Sequence, residues 1–274
     1  MFLKPTRLFL VAAGIIALIF ALNALDLTPL LPPGRSPGSP PQPSVTPTPA
    51  SPNSLTINNR SYQYYYRQVD TYNETLDLIP NFSASSTSSE IIKQHECIYG
   101  INGGFYLPTN SPLGLFQVGS QKLGQTSKSP TFNGFLSKSK HGDLLISSNP
   151  SPSPPNQPLQ FIFQSGPFYS LASSAKMHFA DTKNARRHLI AQDKNSVSYL
   201  FSVFGAESAF NGPTLDEIYD FFTHPSIQNI APFTAILNLD GGSASAFYDQ
   251  NQSIKVEELK PVGSFLCGQL KSSN

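Results

Sequence analysis

The chain carries almost no charge imbalance: 18 Lys and Arg stand against 17 Asp and Glu, for a net charge of +1. Without a basic excess there is no electrostatic footprint for nucleic acid, and none is expected as a partner. Only two cysteines occur, Cys97 and Cys267, and neither belongs to a Cys-x-x-Cys. Five scattered histidines form no His-x-x-x-His pair, so the spacings argue against a zinc site. No internal repeat is visible.

What is present begins with an apolar run. Lys4 and Arg7 precede Leu8 to Leu25, which only Asn23 interrupts. That length just suffices to cross a bilayer, and the basic flank keeps the N-terminus inside. The length favours a retained anchor. A cleavable signal peptide stays open, with Ala24 at the cleavage point and Leu22 fitting it poorly. Either reading exports the remainder of the chain. Residues 1–27 are therefore expected to be a membrane anchor or signal peptide, and 28–54, rich in Pro, Ser and Thr, a disordered spacer. Residues 55–274 are one domain's worth of chain. Outside the cytoplasm disulfides persist, so Cys97 and Cys267 either pair or sit as two buried apolar thiols.

The domain mixes strand and helix signals. Tyr62, Tyr64 and Tyr66 alternate with other residues as in a half-buried strand, with Thr75 to Ile79 as its suggested partner. Thr87 and Glu90 have capping-box spacing before a short helix. Cys97 to Ile101 reads as an apolar strand. Phe132 to Leu136 and Leu144 to Ile146 flank His141-Gly142 as a hairpin. Phe161 to Gln164, Val197 to Val203, Phe233 to Leu239 and Gly263 to Cys267 read as further strands. Ser147 to Pro158 reads as an exposed loop. Thr214 to Phe222 is the best helix, with Leu215, Ile218, Tyr219 and Phe222 on one face and Pro225 as a stop. This order predicts an α+β fold: a mixed, largely antiparallel sheet with a few packed helices.

Two buried strands end in Gly-Gly, one after Asn102 and one after Asp240. Glycines there let a backbone approach a ligand, and consecutive amides can form an anion nest; for either motif alone a tight turn without a ligand is the commoner explanation, but together the two suggest one shared mouth. Arg186-Arg187 precedes a strand and offers planar forks suited to phosphate, or a solvated pair. Glu217 has a structural explanation ready, because Thr214-Leu215-Asp216-Glu217 is a capping box. Gly242-Ser243-Ala244-Ser245 lacks the second glycine of a serine-hydrolase elbow.

Taken together and in order, Ile101-Asn102-Gly103-Gly104-Phe105-Tyr106, Gln164-Ser165-Gly166-Pro167, Arg186-Arg187, Thr214-Leu215-Asp216-Glu217 and Leu237-Asn238-Leu239-Asp240-Gly241-Gly242 resemble the phosphodiester glycosidase family, which acts on N-acetylglucosamine-1-phosphodiesters. The resemblance spans most of 55–270. Members typically continue the last motif with a third glycine and a serine, where this chain has Ser243 and Ala244. The resemblance implies hydrolysis of a sugar-1-phosphodiester at the anomeric carbon–oxygen bond. It implies Asp240 and Glu217 as the catalytic carboxylates, and Asn102, Gly103, Gly104, Arg186, Arg187, Gly241 and Gly242 around the substrate and its phosphate. No cofactor and no metal are expected, although carboxylates near a phosphate suit calcium. A non-catalytic binder of surface glycans or phosphopolymers on the same fold is the alternative. A structural envelope protein would place Asn102 and Asp240 far apart.

Overall fold

The computed structural model describes residues 50–150, 158–172, 176, 178–180 and 183–271. The expected anchor or signal segment (1–27), most of the expected spacer (28–54) and the middle of the Ser147–Pro158 loop lie outside them. Among the described residues, no helix is long and apolar enough to cross a membrane.

The fold is β-rich, which corrects the α+β expectation. Eighteen strands run in chain order: β1 (Asn53–Ile57), β2 (Arg60–Gln68), β3 (Glu74–Pro80), β4 (Tyr99–Asn102), β5 (Tyr106–Leu107), β6 (Ser111–Pro112), β7 (Phe116–Val118), β8 (Gln121–Gly124), β9 (Gly134–Ser139), β10 (Leu144–Ser147), β11 (Leu159–Ser165), β12 (Phe168–Ser170), β13 (Arg187–Asp193), β14 (Ser198–Gly205), β15 (Phe233–Asn238), β16 (Phe247–Asp249), β17 (Ile254–Val256) and β18 (Ser264–Leu270). Only three short α-helices accompany them among the described residues, α1 (Ser88–Gln94), α2 (Leu215–Thr223) and α3 (Pro225–Gln228), with one 3-10 turn at Gly242–Ala244. The correction has a physical cause. The strands of 106–124 and 247–256 are two to four residues long, so they carry too little alternation to be read. Strand β1 also opens at Asn53, inside the expected spacer, and Ala50 N–H bonds Gln252 O at 3.0 Å.

Three antiparallel sheets pack around one core. The first has strand order β1-β2-β14-β13-β15-β12, the second β17-β16-β4-β18-β3, and the third β10-β9-β11-β7-β8. The core draws Ile190, Leu200 and Leu237 from the first sheet, Ile101 and Leu266 from the second, and Leu136, Phe161 and Phe163 from the third. The other face of the first sheet presents Leu189, Phe201 and Ile236 to Ile218, Phe221 and Phe222 of α2. Strand β13 is therefore buried at every position, because both its faces are covered. The suggested pairing of the Tyr62 strand with β3 does not form: β2 pairs with β1 and β14, and β3 pairs with β18.

Local rules account for the helices. Thr87 caps α1 and Thr214 caps α2, each in a complete capping box with Glu90 and Glu217. Pro225 does more than stop α2; it occupies the first turn of α3, where its missing N–H costs nothing. Cys97 and Cys267 form a disulfide with Cα atoms 5.4 Å apart, joining the approach to β4 to its neighbour β18. The staple holds together the two strands whose far ends lead to Asn102 and Gly263.

Candidate active site

The tips of β4 and β15 meet, though the two strands belong to different sheets. The chain leaving β15 continues past its ladder, with Leu239 N–H on His188 O at 2.8 Å. It then crosses to the second sheet, where Asp240 N–H bonds Gly103 O at 3.1 Å. Asn102 Nδ2 donates to Asp240 O at 2.8 Å and to Gly103 O at 3.1 Å. Asn102 and Asp240 converge, by strand tips meeting across sheets.

Asn102 is the hub of this junction and is 1% exposed. Its Oδ1 accepts from Ala246 N–H at 3.1 Å and lies 2.5 Å from His188 Nδ1. Since Oδ1 can only accept, His188 must carry its proton on Nδ1. His188 Nε2 then accepts from Ser202 Oγ at 2.9 Å. Burial first, and the nearby Arg186 charge second, hold His188 well below the ordinary histidine range, so it stays neutral. Serine, histidine and asparagine in line resemble a hydrolytic triad. All three are buried to within 1% of full enclosure, so no substrate reaches them, and the line works as a brace. The hydrogen-bonding positions of Asn102 are all used internally, which makes it a positioning residue.

The glycines are explained by close packing. A Cβ on Gly103 would lie 2.2 Å from Ser264 Oγ, and one on Gly104 would lie 2.9 Å from Gln164 O. Gly241 packs against the Arg186 carbonyl, 2.7 Å from a built Cβ. Gly242 alone of the four needs its conformational freedom, with φ +66° and open space beside it. Three of the amides are engaged: Gly103 N–H with Ser264 O, Gly241 N–H with Asp240 Oδ1, and Gly242 N–H with Arg186 O. They do not form an open anion nest.

The two arginines divide. Arg186 is 1% exposed and stitches the loop after Asp240: Nε donates to Ser245 Oγ at 2.7 Å, and Nη2 to Ser245 O at 2.7 Å and Glu257 O at 2.9 Å. Phe210 stacks on its guanidinium at 5.4 Å. This explains how the loop tolerates Ser243 and Ala244. Ser243 O accepts the Leu259 and Lys260 amides, Ala244 is buried, and Ser245 supplies the anchoring hydroxyl. Arg187 is 7% exposed, donating from Nε to Pro213 O at 2.9 Å and from Nη2 to Lys183 O at 2.8 Å. Its Cδ passes 3.9 Å from a Cβ built on Gly241, while its guanidinium turns to the Pro213 and Lys183 carbonyls.

Asp240 and Glu217 have opposite surroundings. Asp240 retains partial solvent access, yet burial pushes its carboxyl up to about 7, with the Gly241 N–H bond opposing. Burial raises the Tyr106 hydroxyl, and the Asp240 charge adds to the shift; that hydroxyl donates to Pro261 O at 2.8 Å, and its ring packs on Gly263. Glu217 Oε2 instead accepts from Thr214 N–H at 2.8 Å and Thr214 Oγ1 at 3.0 Å, and Oε1 faces Arg60 at 3.6 Å. The structure brings Asn102, Asp240, Arg186, Arg187 and the four glycines to one junction and assigns Glu217 to its cap. Sequence reasoning missed Tyr106, His188 and Ser245 as site-building residues. Tyr106 closes the Asn102 motif and His188 adjoins the arginine pair, so both were legible there; nothing marked Ser245. Among the described residues, no three His, Cys, Asp or Glu side chains come together as a metal-ligand set.

A family model described as phosphodiester glycosidase matches residues 95–267. The catalytic domain of zebrafish N-acetylglucosamine-1-phosphodiester alpha-N-acetylglucosaminidase, auto-inhibited by its pro-peptide, is similar in fold. Its TM-score is 0.57 at 17% identity, over 82% of this chain and 84% of that one. A hypothetical protein from Synechocystis is similar with a TM-score of 0.53 at 12% identity, over 80% of this chain and 61% of that one. No curated protein sequence matches the chain.

Proposed function

Because the chain belongs to the phosphodiester glycosidase family, we propose that it hydrolyses a sugar-1-phosphodiester in an exported glycan or envelope polymer, with Asp240 as the working carboxylate. The observation that carries this is the Asp240 carboxyl: partly open to solvent, at the meeting point of two sheets, and shifted to about 7. A carboxyl with a pKa near the working pH is well placed to move a proton. In the reaction, water attacks the anomeric carbon and gives up a proton to the Asp240 carboxylate. The carbon–oxygen bond breaks, and its electron pair leaves with the phosphate as a phosphomonoester. A phosphate is already a good leaving group, so one carboxylate suffices. Developing positive charge on the sugar ring is countered by the same group.

Export is supported by the Cys97–Cys267 disulfide, a bond that persists in oxidising compartments, and by the apolar Leu8–Leu25 segment. The membrane is proposed as a partner through that segment. The test is a panel of sugar-1-phosphodiesters offered to the full chain, with release of free sugar as the readout. Turnover of one member that Asp240→Asn abolishes supports the reading. Tight binding of a member without release would instead favour a non-catalytic glycan or phosphopolymer binder.

A further inference from the structure

A concave site whose lining does not include the Asp240 turn is formed by the start of β2, the end of β14 and the segment after it. It is a groove of about 520 Å³, lined by Arg60, Tyr62, Asn184, Glu207, Asn211 and their neighbours. The volume falls within the usual range for small-ligand sites, roughly 300–1,000 Å³. A glycine of the groove wall and a glycine of the Asp240 turn both pack on the Arg186 backbone. Gly212, at the groove wall, would place a Cβ 3.1 Å from Arg186 Cα, and Gly241 would place one 2.7 Å from Arg186 O.

The lining fits one ligand chemistry. Arg60 is half exposed and already compensated, by Glu217 at 3.6 Å and by Asn184 Oδ1 at 3.0 Å. Glu207 adds a further carboxylate, so a lone anion is not favoured. Apart from the Tyr62 ring, the walls offer no broad apolar side chain to an oily ligand. What remains is a set of planar amide, guanidinium and carboxylate groups, which pair with adjacent hydroxyls. Tyr62 is 2% exposed at the base of the groove, and its hydroxyl is enclosed beside Arg60 and Glu217.

We propose that this groove binds a neutral saccharide segment of the substrate, remote from the bond that is cut. The substrate is then a glycan chain several sugars long rather than a small sugar phosphate. Binding of remote groups would hold the scissile phosphodiester at the Asp240 turn. The place in catalysis rests on the reading of Asp240 above; the saccharide binding itself does not.

The test is saturation-transfer NMR and titration calorimetry on the full chain. Chitotriose, cellotriose, mannotriose and inorganic phosphate are the probes. The expected result is binding of at least one trisaccharide, weakened about ten-fold by Arg60→Ala and by Asn211→Ala. Binding should persist unchanged in Asp240→Asn. Loss of turnover there with binding kept separates the groove from the catalytic assignment. The proposal is overturned if no trisaccharide binds, if phosphate alone binds as well as any trisaccharide, if the groove variants bind normally, or if Asp240→Asn abolishes binding.

Discussion

Asp240 and Glu217 are both carboxylates in motifs that resemble the same family, yet the fold treats them differently. Glu217 lies in the first turn of α2, where two Thr214 donors and the Arg60 guanidinium face its oxygens. Asp240 lies just past β15, where a single backbone N–H faces it and the surrounding packing strips its water. Glu217 thereby completes the capping box of α2. Asp240 is held in a state that favours its proton. A motif match puts a residue in place; its neighbours decide whether it is structural or reactive.

The largest effect should come from removing the Asp240 charge. Asp240→Asn is expected to lower turnover by about 10²–10⁴-fold while the protein still melts cooperatively. A loss of that size in Glu217→Gln instead would reverse the comparison. Next is the brace under Asp240. Asn102→Ala would leave the His188 Nδ1–H, the Ala246 N–H and the Asp240 carbonyl unpaired in the interior. At about 1–3 kcal/mol for each such group, a loss of at least about 3 kcal/mol is expected by urea unfolding.

Acidity gives a smaller, signed effect. The folded Asp240 titrates at about 7 against an ordinary value of 3.8. Between those values the native state holds the extra proton, so raising the pH through that window costs stability. Asp240→Asn should match wild type below about pH 4 and become progressively more stable than it up to pH 8. The gain is on the order of 1–4 kcal/mol, given that one pKa unit is worth about 1.4 kcal/mol. Equal melting temperatures of the two proteins across that range would break the account. Smallest is the cap itself: Glu217→Ala should cost about 1 kcal/mol and Glu217→Gln a few tenths, with activity within about two-fold of wild type.

Much of this was legible in the sequence, for reasons visible at particular residues. The β2 tyrosines, the β9–β10 hairpin at His141-Gly142 and both capping boxes follow local rules that survive packing. The disulfide partners were named as one of two outcomes, and the pairing of β4 with β18 decided between them. The strands β5 to β8, β16 and β17 were not legible, because two- to four-residue ladders are held by their neighbours rather than by their own pattern. At the site, proximity of Asn102 and Asp240 could be read from matching Gly-Gly tips. The engagement of the glycine amides, the enclosure of Arg186 and the brace through His188 to Ser202 could not. The enclosure and the brace depend on contacts between residues 14 to 86 positions apart.

The most direct test is the titration of the Asp240 carboxyl by carbon-detected NMR in the full chain, assigned by its disappearance in Asp240→Asn. A midpoint near 7 is the predicted result. A midpoint near the ordinary 3.8 would mean that the turn leaves Asp240 a solvated carboxylate, and would contradict its assignment as the working group.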